Sequence, residues 1–256
     1  MTDLARHKGY LSEIFCSVQG EGIYVGERQL FVRTAGCSAD CSWCDTVASK
    51  KRSAVCIVHG PKKRLIDNPL TSGETAKEVL SLARRARTVR TVSITGGEPL
   101  EQADFVGGIA AELGRDGYRI YLDTNGLEVS GLGKVIADID VIAMDIKLPS
   151  ATGGVHWEAH RAFLRAAAGV EVFVKIVVDP STTADELIEA VRLVAEIDSS
   201  IPVVFQPESS VFLKAPRGSP ARTRLVRALE SAQARALGRL EDVRIIPQCH
   251  KMLKVR

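Results

Sequence analysis

The chain has 256 residues, 45% of them hydrophobic and 25% charged, which is typical of a globular protein with room for one large α/β domain. Its 34 basic and 31 acidic residues leave a net charge of +3, so bulk charge gives no support for nucleic-acid binding. The N-terminal ten residues lack an apolar signal-peptide core, and no later run approaches the roughly 20 apolar residues of a membrane span. We therefore expect a cytoplasmic protein that binds neither membrane nor nucleic acid.

Short runs rich in Val and Ile predict eight β-strands. They are Leu11–Phe15, Leu30–Arg33, Thr91–Thr95, Arg119–Asp123, Val141–Lys147, Val170–Val178, Val203–Gln206 and Val243–Ile246. Several are apolar on successive residues, as in the Val-Ile-Ala-Met run that begins at Val141. Such runs are typical of strands buried on both faces of a parallel sheet.

Helical patterns alternate with these strands and carry start signals. Thr71 with Glu74 and Thr183 with Glu186 each form a capping-box pattern, and Ser219 precedes a proline at a first helical position. Residues 101–113 and 155–168 are also predicted helices. The alternation predicts one α/β domain over 1–256 with a parallel sheet, as a barrel or an open sheet. Residues 47–70 are predicted as an irregular insertion, and 207–219 as a long polar connection.

Three of the six cysteines, Cys37, Cys41 and Cys44, stand at the spacing CxxxCxxC in one loop after a predicted strand. In the cytoplasm clustered cysteines are better interpreted as metal ligands than as disulfides. A closed zinc or iron–sulfur site takes four ligands, so three leave one metal position open. The alternative is a zinc knuckle in which Cys56 or His59 supplies the fourth ligand.

Polar residues follow several predicted strands, where ligands bind in βα-repeat proteins. The groups are Thr95-Gly96-Gly97-Glu98-Pro99, Asp123-Thr124-Asn125-Gly126, Asp145 with Lys147, and Gln206-Pro207-Glu208. Gly96-Gly97 is either a tight turn or a place where a ligand approaches the backbone. If a ligand binds there, Glu98 could accept a hydrogen bond from its cationic group. Trp43, just before the third cysteine, is either a core aromatic or a surface for a flat ring.

The cysteine motif, the aromatic before its last cysteine and the later GGEP resemble the radical S-adenosylmethionine superfamily. This resemblance implies a [4Fe–4S] cluster on the three thiolates and S-adenosylmethionine (SAM) chelating its fourth iron. One electron from the cluster then cleaves SAM to a 5′-deoxyadenosyl radical. It also implies a partial, open βα barrel with outer helices, an N-terminal strand and a C-terminal closing segment, and an external reductant of the flavodoxin or ferredoxin type.

Further motifs resemble the 7-carboxy-7-deazaguanine synthase family from about residue 12 onward, with 47–70 the least matched part. They are Gln19-Gly20-Glu21-Gly22, Cys44-Asp45-Thr46, Asp123-Thr124-Asn125-Gly126 and Gln248-Cys249-His250-Lys251. The resemblance implies a homodimeric lyase that converts 6-carboxy-5,6,7,8-tetrahydropterin to 7-carboxy-7-deazaguanine with loss of ammonia. This is a step towards 7-deazapurines such as queuosine precursors. The family also uses Mg²⁺, here matched to the Thr46 hydroxyl.

By the same resemblance the site residues divide into two sets. Those implied to bind substrate are Val18, Gln19, Gly20, Glu21, Arg33, Thr95 and Arg256. Those implied to bind SAM are Trp43, Gly97, Glu98, Asp145, Lys147, Gln206, Pro207, Glu208 and Ser209. Some family members carry Ser-Pro-Lys where this chain has Asp145-Ile146-Lys147, so Asp145 would offer ribose hydroxyls a carboxylate.

Two alternative functions are considered. A glycyl-radical-enzyme activase of the same superfamily shares the cysteine motif, GGEP and TNG, but has no evident use for the Gln19–Gly22 turn. A non-catalytic iron–sulfur or zinc protein would be recognised by its metal content. About four irons per chain favour the enzyme, and one zinc in a colourless protein refutes it.

Overall fold

The computed structural model of the protein describes residues 6–86 and 88–256, and its strands confirm all eight sequence predictions. The strands are β1 (Lys8–Gly9), β2 (Leu11–Val18), β3 (Arg28–Thr34), β4 (Val55–His59), β5 (Lys63–Asp67), β6 (Leu70–Thr71), β7 (Thr91–Gly96), β8 (Arg119–Thr124), β9 (Val141–Asp145), β10 (Glu171–Val178), β11 (Val203–Pro207) and β12 (Val243–Ile245). The predicted β9 extended to Lys147, whereas the strand ends two residues earlier.

The helices alternate with the strands as expected. They are α1 (Ser72–Ala83), α2 (Ala103–Arg115), α3 (Val129–Val135), α4 (Pro149–Thr152), α5 (Trp157–Ala166), α6 (Ala184–Ile197), α7 (Ser209–Lys214), α8 (Pro220–Ala236) and α9 (Cys249–Leu253). Both predicted capping boxes are present, because the N-cap threonines of α1 and α6 exchange hydrogen bonds with Glu74 and Glu186. No helix in the described parts of the chain has the length and apolar character of a membrane span.

Ten strands form one open sheet in the order β12-β11-β10-β9-β8-β7-β3-β2-β4-β5. Neighbouring strands are parallel except for the pairs β2–β3 and β4–β5. The parallel arrangement places the carboxyl ends of β7 to β11 along one rim. The architecture is therefore the predicted open βα barrel.

Side-chain alternation gives the sheet two different faces. On β9, Ile142 and Met144 pack into the main hydrophobic core beneath the helices, whereas Val141 and Ala143 belong to a small second cluster with Tyr121 and Phe173. On four neighbouring strands the last apolar residue of this inner face is followed two positions later by a polar one. The pairs are Tyr121 and Asp123, Ala143 and Asp145, Phe173 and Lys175, and Val204 and Gln206. The inner face therefore ends in a polar rim where the strands end.

Two expectations about loops were wrong. Residues 47–70 hold the β4–β5 hairpin, which extends the sheet because β4 pairs in parallel with β2. Cys56 and Val58 of β4 bury their side chains in the core, and this alternation is the strand signal. Residues 207–219 contain α7. The Glu208 carboxylate caps its first turn by accepting hydrogen bonds from the backbone N–H groups of Ser210 and Val211.

Candidate active site

A cavity of about 570 Å³ lies at the polar rim of the sheet, and 18 of the 20 predicted site residues line it. The 18 are Val18, Gln19, Gly20, Glu21, Arg33, Cys37, Cys41, Trp43, Cys44, Thr46, Thr95, Gly97, Asp145, Lys147, Gln206, Glu208, Ser209 and Arg256. The cavity volume falls within the range of small-molecule sites. The other two predicted residues, Glu98 and Pro207, do not line it.

Hydrogen bonds donated by backbone N–H groups hold the cysteine loop against neighbouring segments of the chain. The Gly36 N–H donates to Ser49 O at 2.8 Å, and the Ser38 N–H donates to the Glu101 carboxylate at 2.6 Å. Farther along, the Ser42 N–H donates to Ala151 O at 2.9 Å. These bonds fix the loop at Gly36, Ser38 and Ser42, and its three cysteines all line the cavity.

The chemistry of these thiols fits a cationic metal centre. All three are half-buried and unpaired as disulfides. Burial raises the pKa of the Cys37 thiol to about 11 and also raises the pKa of Cys41. Metal ions deprotonate coordinating thiols outright, so loading a cluster here would release protons. Three such ligands on one wall suit an iron–sulfur cluster that keeps one iron open to a second ligand.

Cys56, considered above as a fourth ligand, is wrong for that role. It is fully buried in the hydrophobic core beneath the sheet and does not line the cavity. His59 instead approaches Glu13, with 3.0 Å between its Nε2 and a carboxylate oxygen. The zinc-knuckle geometry is therefore not formed.

The paired glycines permit close backbone contact beside the cysteine loop. A Cβ on Gly97 would lie 2.0 Å from the carbonyl oxygen of Gly36, a distance that no side chain tolerates. Gly96 has a φ of +149°, and a Cβ there would meet the backbone of Thr34 at 2.5 Å. The Gly96-Gly97 turn therefore brings main-chain atoms to the cavity directly beside the cysteine loop.

Glu98 does not face the cavity, contrary to the expected contact with a cofactor. It is fully buried, and its two oxygens accept from Leu100 N, Thr124 Oγ1 and Asn125 N at 2.7–3.0 Å. Burial raises its pKa to about 7. Glu98 therefore holds the Thr124–Asn125 turn from behind. Pro207 is likewise buried, as the last residue of β11, where it pairs with Val178.

The rim at the end of β9 carries an ion pair and a cation–π contact. The Lys147 ammonium lies 2.8 Å from Asp145 Oδ2 and 4.7 Å from the centre of the Trp43 ring. Trp43 and Gln206 line the cavity, and their buried atoms Nε1 and Oε1 have no hydrogen-bond partner among the described residues. Unpartnered donors and acceptors at a cavity wall fit a polar ligand such as SAM.

His160 fixes this rim from below. It is fully buried, its Nδ1–H donates to Gly126 O at 3.2 Å, and its Nε2 accepts from the Lys147 N–H at 3.0 Å. Both contacts require the neutral imidazole. Burial lowers the pKa of His160 to about 4, in agreement with that form.

The opposite side of the cavity combines aromatic surface with a fixed arginine. Phe15 and Phe31 stack with their ring centres 4.9 Å apart and an interplanar angle of 8°. The Arg33 guanidinium lies 5.6 Å from the centre of the Phe15 ring, and its Nε is 3.0 Å from the Glu13 carboxylate. Arg256 also pairs with Glu13. This wall can accept a flat ring that carries an acidic group.

An acidic corner joins the two sides. Ligand atoms of Glu21, Asp45 and His250 lie within 4.8 Å of one another, close enough to surround a cation. The Gln248 amide donates to both carboxylates, and Lys251 Nζ lies 3.0 Å from Asp45. Gln248, His250 and Lys251 line the cavity but were not among the predicted site residues, although their motif was noticed.

Lys175 on β10 was missed altogether. Its side chain is only 3% exposed and contacts three carboxylates of the cavity. The sequence does contain a signal for it, a single lysine inside the otherwise apolar run Val-Phe-Val-Lys-Ile-Val-Val. A lysine is almost never fully buried without charged partners, so this pattern indicates a buried ion pair.

Comparison with known proteins decides the family. The model of the radical SAM superfamily matches residues 31–194. A 7-carboxy-7-deazaguanine synthase of Geobacter sulfurreducens is 38% identical over 248 residues, covering 95% of this chain and 96% of the relative. The chain belongs to the 7-carboxy-7-deazaguanine synthase family of radical SAM proteins. Another member, from Methanothermobacter thermautotrophicus, is 32% identical with 95% and 96% coverage.

Solved structures support the fold of this family member. The crystal structure of QueE from Escherichia coli aligns with a TM-score of 0.60 at 20% identity, covering 96% of both chains. Streptococcus suis SuiB aligns with a TM-score of 0.58 at 17% identity, over 84% of this chain and 47% of SuiB. The fold of this chain is thus shared with both of these distant proteins.

Proposed function

We propose that this family member catalyses the ring contraction of 6-carboxy-5,6,7,8-tetrahydropterin to 7-carboxy-7-deazaguanine. One molecule of ammonia leaves in the conversion, which balances its atoms without an external oxidant. The observation that carries the proposal is one cavity whose wall joins the three-cysteine loop to the Gln19–Gly22 turn and Arg33. A cluster site and a site for a flat anionic substrate thus share one space.

Cys37, Cys41 and Cys44 are proposed to hold a [4Fe–4S] cluster. The proposed SAM contacts are Trp43, Gly97, Asp145, Lys147, Gln206, Glu208 and Ser209. When bound, the cluster and SAM supply a radical that removes a hydrogen atom from the substrate. Unpartnered Gln206 Oε1 supports SAM binding here, because no described residue donates a hydrogen bond to this acceptor.

The substrate is proposed to lie between the aromatic wall and the Gln19–Gly22 turn. The stacked Phe15 and Phe31 give this side of the cavity an apolar lining for the pterin, and Arg33, held by Glu13, can pair with its carboxylate. Glu21 can accept hydrogen bonds from the pterin N–H groups. Val18, Gln19, Gly20, Thr95 and Arg256 are proposed to complete the substrate contacts, since all of them line the same cavity.

A Mg²⁺ ion is proposed next to Thr46. Hard cations take oxygen ligands, and Thr46 lines the cavity. Its hydroxyl does not cap the 3₁₀ helix Val47–Ser49 that follows it. The carboxylates of Glu21 and Asp45 give this corner negative charge. A cation here would neutralise and orient the substrate carboxylate.

The partners are proposed on the strength of the family. We propose a cytoplasmic homodimer that receives single electrons from a flavodoxin or ferredoxin and serves a 7-deazapurine pathway. A cytoplasmic location agrees with a cavity that needs three reduced cysteines.

The test is anaerobic turnover. Protein reconstituted with iron and sulfide is mixed with SAM, Mg²⁺, a low-potential reductant and 6-carboxy-5,6,7,8-tetrahydropterin, and product is detected by mass. We expect 7-carboxy-7-deazaguanine, with about four irons per chain. The variant Cys41→Ser is the control and should give none. Reconstituted protein that binds iron but forms no ring-contracted product would refute the substrate assignment.

A further inference from the structure

Lys175 joins the two halves of the cavity. From its place on β10 its ammonium reaches Glu21 Oε2 at 3.0 Å, Asp123 Oδ1 at 2.8 Å and Asp145 Oδ1 at 3.3 Å. Glu21 belongs to the turn proposed to bind the pterin, whereas Asp145 ends the strand proposed to bind SAM. One buried cation thus contacts a carboxylate from each subsite.

The charges explain why this lysine must stay protonated. Burial alone would lower its pKa, but the three carboxylates outweigh that effect and hold the pKa of Lys175 well above its usual value. Three carboxylates packed together repel one another unless a cation lies between them. Lys175 therefore sets the mutual position of the three acidic side chains.

The pKa values of the three carboxylates are shifted in different directions by their neighbours. Burial raises the pKa of Asp123, and the nearby charges of Asp145 and Glu21 add to that effect despite Lys175. For Glu21 burial also opposes ionisation, but Lys175 and the hydrogen bond from Gln248 leave its pKa below the usual value. Glu21 and Asp145, the two carboxylates proposed to contact ligands, are thus the ones whose pKa the lysines hold below the usual value.

The connections continue from Lys175 in both directions. On one side Asp145 pairs with Lys147, which packs over the ring of Trp43 in the cysteine loop. On the other, Glu21 accepts from Gln248, whose amide also donates to Asp45 at 2.9 Å. Among the described residues, Lys175 is the cation that ion-pairs with both Glu21 and Asp145. It therefore closes an otherwise broken chain of polar contacts.

We propose that Lys175 is a positioning residue that couples SAM binding to pterin binding, an inference that rests on the proposed function. When one ligand fixes Glu21 or Asp145, the shared ammonium restrains the other carboxylate before the second ligand arrives. The second ligand then loses less conformational entropy and binds more tightly. The coupling is reciprocal, because each ligand raises the affinity for the other by the same factor.

The test measures this factor by equilibrium dialysis on anaerobically reconstituted protein, without turnover. The Kd of the pterin is determined with and without saturating SAM in the unmodified protein and in Lys175→Met, which keeps the unbranched side chain, one atom shorter, but not its charge. We expect SAM to tighten pterin binding at least about fivefold in the unmodified protein, and less than about twofold in the variant. Iron content and thermal unfolding verify that the variant is loaded and folded.

Lys251→Met is the matched control. Lys251 lies 3.0 Å from Asp45 and 2.6 Å from Gln248 Oε1, but it does not pair with Asp145. Its loss should weaken pterin binding and leave the Kd of SAM within about twofold. If Lys175→Met does not fold, Lys175→Gln is measured in its place. Failure of both to fold would overturn a positioning role in favour of a purely structural one.

Other outcomes are equally decisive. A coupling factor that survives in the folded variant, or that is absent from the unmodified protein, would overturn the role of Lys175. Either result is compatible with formation of 7-carboxy-7-deazaguanine by the unmodified protein. Failure of the unmodified protein to bind or convert the pterin would instead refute the proposed function.

Discussion

At the scale of single residues, the Thr46 hydroxyl carries the prediction about Mg²⁺. We expect Thr46→Ala to raise the Mg²⁺ concentration for half-maximal turnover at least about tenfold, since even outer-shell partners of metals are worth 10–100-fold in affinity. Iron content and SAM binding should persist, because Thr46 makes only a 3.9 Å contact with Cys44, one of the three proposed cluster ligands. Steady-state rates over a Mg²⁺ titration provide the measurement.

The control for this prediction is Thr46→Ser, which keeps a hydroxyl at the same place and should retain most of the Mg²⁺ response. A Thr46→Ala variant whose Mg²⁺ dependence matches that of the unmodified protein would remove Thr46 from the metal site. The acidic corner of Glu21 and Asp45 would then be the next candidate, since it lies on the same cavity wall.

Individual residues also show what sequence can and cannot reveal about the site. Cys37, Cys41 and Cys44 were predictable because their spacing places three soft ligands on one loop. Glu98 was placed wrongly, because a motif locates a residue along the chain but does not tell which way its side chain points. Lys175 was missed because its three partners come from separate strands and a distant turn, and only the fold brings them together.

At the scale of elements, His160 makes the attachment of α5 to the loops that follow β8 and β9 sensitive to pH. The folded protein holds this residue neutral with a pKa of about 4, whereas the unfolded chain protonates it near 6.5. Between these values the unfolded state binds the extra proton, so the contribution of His160 to stability is complete above pH 6.5. It falls by about 3 kcal/mol as pH drops to 4.

The measurement is the free energy of unfolding in urea from pH 7.5 to pH 4. We expect His160→Gln to be less stable at neutral pH and to show a shallower decline towards acid, because the titrating group is gone. His7→Gln is the control, since His7 is exposed and its loss should leave the decline unchanged. Parallel curves for His160→Gln and the unmodified protein would contradict the role of His160.

Elements differ in how well the sequence predicted them. The central strands were predictable because burial on both faces leaves runs of Val and Ile. The β4–β5 hairpin was not, because β5 is an exposed edge strand that begins with Lys63 and Arg64. Charged residues on an edge strand hinder pairing with other chains, but they also hide the strand from a pattern search. The short α7 was hidden for a related reason, since its start depends on capping by Glu208.

At the scale of the whole molecule, we expect the fold to survive loss of the metal. One continuous core of buried residues under the helices joins β2 to β12, and none of its members lies within the cysteine loop 36–46. Iron-free protein should therefore keep its far-UV circular dichroism and unfold cooperatively, with a midpoint lowered by a few degrees. This behaviour differs from that of zinc fingers, which are unfolded without metal.

Thermal unfolding of the iron-free and the reconstituted protein checks this prediction. A variant with Cys37, Cys41 and Cys44 all replaced by Ser should match the iron-free protein, because it removes the ligands and leaves the core unchanged. Loss of secondary structure on removal of iron would show that the cluster is part of the folding nucleus.

The contact between Gly97 and the Gly36 carbonyl has a consequence for how such a protein can diverge. Contact between main-chain atoms sets the spacing between the cysteine loop and the Gly96-Gly97 turn. Exchange of nearby side chains therefore cannot alter this spacing. The wall of Phe15, Phe31 and Arg33, in contrast, is built from side chains alone. New substrate preferences should therefore arise by substitution on that wall, while the radical-generating half keeps its geometry.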